Sequence, residues 1–140
     1  MTIPRAPVDV RRPPADLDAL VEWLDGVGQN LVLLEPYPLD DLRRAVAAVD
    51  RTVRAHCAAP PPRSSDPRRA TELEADHRRY AGALEELRGL LRVVELDDHG
   101  GHRQALGQYG RVLAESLRLH RALETAGGRG PASGRSRNSN

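Results

Sequence analysis

Between Leu73 and Val94 the apolar or amphipathic positions Leu73, His77, Tyr80, Leu84, Leu87, Leu91 and Val94 recur alternately four and three residues apart. That spacing places them on one face of a long amphipathic helix packed against other helices. Three further segments carry the same period. After Pro13-Pro14 it runs through Leu17, Leu20, Leu24, Val27, Leu31 and Leu34, with Val21 beside the line. Gly26 and Gly28 each weaken a helix interior by about 1 kcal/mol relative to Ala. The stripe nevertheless keeps phase across them, which predicts one helix to Leu34 in preference to a short helix followed by an extended Leu31–Leu34 strand.

Prolines punctuate the remainder. Pro36 and Pro38 separate the first helix from a second that opens on Asp40 and Asp41, acids suited to a helix N-terminus. This second helix presents Leu42, Val46, Val49, Val53 and His56, and Pro60-Pro61-Pro62 ends it. Asp66-Pro67 is an N-cap and first-turn pair for the third helix, which is expected to reach Glu95. The turn Asp97-Asp98-His99-Gly100-Gly101 reverses the chain into a fourth helix with His102, Leu106, Tyr109, Leu113, Ser116, His120 and Leu123 inward. Gly127-Gly128 is expected to release it.

Four amphipathic segments with short connections predict an all-α protein, an antiparallel up-down-up-down four-helix bundle with disordered basic tails. The expected boundaries are a flexible segment over residues 1–14, one bundle domain over 15–126 and a disordered tail over 127–140. Composition supports the class, because a chain without Phe must build its core from Leu, Val and Ala, a poor set for a β-sandwich. No internal repeat points to a solenoid.

Charge adds little to this picture. All 21 basic residues are Arg and none is Lys, and the accompanying richness in Ala, Gly and Pro reads as the composition of a high-G+C genome. Residues 15–124 hold 15 Arg against 19 acids, so the body is mildly acidic while both tails are basic. Contact of the Arg-bearing tails with nucleic acid is one reading, and solubilising chain ends are the preferred one. Cys57 stands alone, which rules out an internal disulfide and leaves a small hydrophobe. The longest aliphatic run, Leu31–Leu34, is far too short to cross a bilayer, and the N-terminal segment has no apolar leader region. A cytoplasmic protein without membrane contact is expected.

Candidate chemistry is confined to the last two helices. Positions equidistant from the Gly100-Gly101 turn should face one another, pairing Leu91 with Leu106, Leu84 with Leu113 and His77 with His120. Glu74 lies one turn before His77 and Glu124 one turn after His120, so two imidazoles and two carboxylates are candidates for a metal layer. Di-iron carboxylate bundles use two Glu-x-x-His units; here there is one, and no seam glutamate on the first two helices. No nucleophile–base pair or phosphate-binding glycine loop is present. The sequence therefore predicts no catalytic residues, no cofactor and no enzyme activity. Its principal functional expectation is a protein acting through contacts with another protein or a second copy of itself, as an accessory or adaptor component of a larger bacterial system. The expected surface is the outer face of the third helix, where Ala75, Gly82 and Gly89 form a side-chain-poor stripe flanked by Leu90 and Val93. A metal-binding bundle using the His77/His120 layer is the alternative.

Overall fold

The protein is described by a computed structural model covering residues 6–59 and 66–138, with side chains placed through Thr125. It contains four helices, α1 (Leu17–Val32), α2 (Leu39–Ala58), α3 (Pro67–Leu96) and α4 (Gly100–Asn138), and no strand among the described residues. No helix is long and apolar enough to cross a membrane among those residues.

Local chemistry sets the helix ends. Asp16 accepts from the Ala19 amide at 3.0 Å to cap α1, and Asp66 accepts from the Arg68 amide at 3.0 Å to cap α3 with Pro67 in its first turn. The first helix stops two residues before the expected Leu34. The Glu35 amide turns back to the Asn30 carbonyl and the Leu34 amide to that of Leu31, a closing motif that holds Leu34 at φ 65°. This left-handed conformation normally falls to Gly, and it leaves Leu34 exposed instead of on the inward face.

The four helices enclose one aliphatic core. Leu20, Leu24, Val27 and Leu31 of α1 meet Leu42, Val49 and Val53 of α2, Leu84, Leu87 and Val94 of α3, and Leu106, Leu113 and Leu117 of α4. Every position expected inward on α3 is buried except His77, which is partly so. On α4 the inward face is broader than expected. Leu106, Leu113 and His120 form one line, and Gly107, Gly110, Ala114, Leu117 and Glu124 form a second. The small residues of the second line exist because α1 lies there. A Cβ on Gly28 would meet the Gly107 carbonyl oxygen at 2.6 Å, and one on Gly107 would meet both the Gly28 oxygen and Leu31 Cβ at 2.6 Å. The glycine that weakens α1 locally is thus what lets two backbones touch.

Both termini depart from expectation. Within the segment expected to be flexible, Val10 is buried. The Val8 amide donates to Asn30 Oδ1 at 2.9 Å, and the Trp23 indole and Tyr37 hydroxyl donate to the carbonyls of Asp9 and Val8 at 3.0 and 2.8 Å. Buried polar tips on Trp23 and Tyr37 need partners, and this segment supplies them. Residues 1–5 lie outside the described residues. At the other end, α4 does not stop at Gly127-Gly128; its backbone stays helical to Asn138.

Candidate functional site

One polar layer crosses the bundle near the start of α1, the end of α2, the first third of α3 and the later part of α4. His56 stands in the last turn of α2, Asp76 and His77 are consecutive on α3, and His120 and Glu124 are one turn apart on α4. One ligand atom from each of His56, His77, His120 and Glu124 lies within 4.8 Å of all the others. The expected facing of His77 and His120 is present, with ring centroids 5.0 Å apart. His56 closes the group at 5.6 Å from His77 and 5.5 Å from His120.

His120 and Glu124 are buried, and each is held from behind. Asp76 Oδ2 lies 3.0 Å from His120 Nδ1. An ionised Asp can only accept, so Nδ1 carries the proton and Nε2 turns toward the centre of the layer. Glu124 Oε1 accepts from Arg121 at 2.9 Å, while Arg121 also grips Asp18 of α1 with two bonds of 2.8 and 3.1 Å. The other Glu124 oxygen, Oε2, faces His56 Nε2 at 2.9 Å and His120 Nε2 at 3.1 Å. Arg79 pairs with Asp76. The Tyr80 hydroxyl donates to the Ser116 carbonyl at 3.0 Å, and its ring stands edge-on to His120.

These contacts set the charge states. Burial would raise the Glu124 carboxyl, but the Arg121 hydrogen bond and the charges of His120 and His56 hold it below its ordinary value. Burial pushes His120 down against the pull of Glu124. His77 is also pushed down, by burial first and by His120 and His56 next. His120 Nε2 and Glu124 Oε2 lie 3.1 Å apart, a separation satisfied either by a proton on the imidazole or by a cation held between the two. His77 Nε2 is buried and has no hydrogen-bond partner among the described residues.

The geometry suits a metal ion. Zinc–nitrogen bonds of about 2.0–2.1 Å imply ligand–ligand edges near 3.4 Å in a tetrahedron and near 2.9 Å in an octahedron. Three of the six edges are 2.9 Å (His56–Glu124), 3.1 Å (His120–Glu124) and 3.4 Å (His56–His120), and the ligand atom of His77 lies within 4.8 Å of the other three. Three imidazoles and one carboxylate, without a thiolate, select a borderline divalent transition metal over Mg²⁺ or Ca²⁺.

Of the four residues singled out by sequence, His77, His120 and Glu124 come together and Glu74 does not. Glu74 is exposed on α3, because the residue that turns inward beside His77 is Asp76, one position before it. His56 and Asp76 complete the layer and were not expected there. A second group, Asp97, His99 and His102, gathers at the α3–α4 turn. Its imidazoles serve the turn: His99 Nδ1 accepts from the Gly101 amide at 3.0 Å and His102 Nδ1 lies 2.7 Å from the Asp97 carbonyl. Of the expected docking stripe, Gly82 and Gly89 have no atom within 4 Å of the place a Cβ would occupy.

No family model, curated protein or solved structure matches the chain. Fold and site together define a class all the same, a four-helix protein with a three-histidine, one-glutamate cluster across one layer.

Proposed function

We propose that this protein binds one divalent transition-metal cation, with zinc or iron the fitting class, through His56, His77, His120 and Glu124. The observation that carries the reading is His77 Nε2, a buried nitrogen without a partner in a group of four metal-ligating side chains. Burying such a nitrogen costs about 1–3 kcal/mol unless something binds it. Asp76 and Arg121 act behind the ligands, orienting His120 and Glu124. The protein is read as a binding protein of the cytoplasm and not as an enzyme. Its helices are read as up-down-up-down with antiparallel neighbours, supported by the pairing of Asp18 with Arg121, Glu22 with Arg118, Arg43 with Glu95 and Tyr80 with Ser116.

The test is zinc titration of metal-free protein by calorimetry alongside His77→Phe. One zinc per chain is expected for the native protein and none for the variant. Phe fills the same space without a ligand nitrogen, so a site role predicts lost binding with the fold retained. Zinc uptake undiminished by His77→Phe, or no uptake by the native protein, would overturn the reading. A second reading, docking of a helix from another protein or a second copy on the Gly82/Gly89 face, is favoured by the openness of those two positions and the half-exposed Val93 beside them.

A further inference from the structure

The extended segment before α1 is held by side chains and not by backbone pairing. The Trp23 indole donates to the Asp9 carbonyl, the Tyr37 hydroxyl to the Val8 carbonyl, and the Val8 amide to Asn30 Oδ1. Among the described residues, the one backbone–backbone bond of residues 6–12 stays inside the segment, from the Arg12 amide to the Asp9 carbonyl at 3.3 Å. Gly26 is its socket. A Cβ there would meet Val8 Cγ2 at 2.6 Å, so the bare position on α1 admits the Val8 side chain, while Val10 is buried two residues on. Trp23, Gly26 and Asn30, spaced three and four apart, share one face of α1. That face is cut for an extended Val-x-Val segment and grips its peptide groups.

Lifting the segment breaks no backbone hydrogen bond of the helices. What folds it back onto its own chain is weak: the 3.3 Å turn bond and the exposed pairs of Arg11 and Arg12 with Asp9, which contribute little in water. Pro13-Pro14 follows, and prolines favour an extended backbone over a reversal. Residues 13–16 reach about 13 Å when extended, enough to carry the segment off its own helix. A second copy offers the same socket and the same three hydrogen-bonding side chains, so exchange restores each contact with the groove. We propose that two copies of this chain dock by exchanging residues 6–12, each laying Val8-Asp9-Val10 on the Trp23, Gly26 and Asn30 face of the other.

A Cβ at Gly26 would lie 3.8 Å from Val8 Cβ, the mean separation in disulfides, so cysteines at these two positions report the docking. In a Cys57→Ser background, Val8→Cys chains are mixed with affinity-tagged Gly26→Cys chains in glutathione redox buffer, and the linked mixed dimer is read on a non-reducing gel. Val8→Cys mixed with Gly82→Cys, whose surroundings are open, gives the collisional background. The 8–26 mixture should yield at least tenfold more mixed dimer than this control. One chain carrying both Val8→Cys and Gly26→Cys should close its own disulfide in dilute solution. Mixed dimer at the background level would overturn the exchange, and failure of the double variant to close would overturn the groove itself. Native protein gives a check that needs no variant: in hydrogen exchange the Val8 amide should be at least a hundredfold less protected than the Leu24 amide. Equal protection would mean that the segment leaves only when the bundle unfolds, which also overturns the proposal.

Discussion

At the scale of single residues, the layer is decided by which way each imidazole points. Asp76 settles this for His120: with Nδ1–H given to Asp76 Oδ2, only Nε2 is left for the centre. Removing such an outer partner usually costs 10–100-fold in metal affinity. Asp76→Asn keeps the shape but presents a weaker, uncharged acceptor, so zinc affinity measured by chelator competition should fall by about that factor with helix content unchanged. An unaltered affinity would make Asp76 a partner of Arg79 and nothing more. Three of the five residues of this layer, His77, His120 and Glu124, were legible in the chain. His77 and His120 could be paired because both are counted from one short turn, and Glu124 follows His120 by a helical turn. His56 could not be placed the same way. The stretch between its helix and α3 is proline-rich in sequence and offers no short turn to count from, so its level against His77 is not readable although its inward register is plain. A pattern of a and d positions ignores the width of a buried face, so it points to Glu74 where Asp76, the residue next to the seam, turns inward.

At the scale of helices, glycine has two opposite meanings that sequence pattern does not distinguish. Gly28 and Gly107 sit where α1 and α4 touch backbone to backbone; Gly82 and Gly89 face open space. Replacing Gly by Ala inside a helix gains roughly 0.5–1 kcal/mol where nothing else changes. Gly82→Ala and Gly89→Ala should therefore each stabilise the fold by that amount in urea denaturation. Gly107→Ala should destabilise it despite the same gain in propensity, by about 1–3 kcal/mol, since the added methyl meets a backbone oxygen and a neighbouring Cβ that cannot both retreat. The reverse ranking would mean the α1–α4 approach is misplaced. Gly82→Leu extends the comparison to the docking reading: a variant at least as stable as the native protein that loses self-association or partner capture supports it, and unchanged association removes it. Helix number, the caps at Asp66-Pro67 and the inward line of α3 were readable because they depend on local period and local hydrogen bonding. The wider inward face of α4 was not, because it depends on how closely α1 approaches, and Gly107, Gly110 and Ala114 read in isolation only as poor or small helix residues.

At the scale of the whole molecule, the polar layer lies where the bundle has least covalent help. The α1–α2 and α3–α4 connections are at the opposite end, where Arg103 bonds both Asp98 oxygens and the Tyr37 carbonyl and so fastens one turn to the other. At the layer, a cation would link α2, α3 and α4 directly, and Arg121 would extend the link to α1 through Asp18. Ligand that binds only the folded state stabilises it by about 2.7 kcal/mol at 100 times its dissociation constant. For a chain of this length that corresponds to a rise in melting temperature of about 10 °C. Metal-free protein given zinc at such an excess should show that rise in a thermal scan, EDTA should reverse it, and His56→Ala should abolish it by removing the only ligand from α2. His56→Ala is the informative variant, because its side chain sits at the end of its helix and is only partly buried, so its loss leaves the aliphatic core intact. A zinc-induced rise that survives His56→Ala would place the cation elsewhere, at the turn formed by exposed Asp97 and His99 and partly buried His102, and the same scan of His99→Ala would then reveal it.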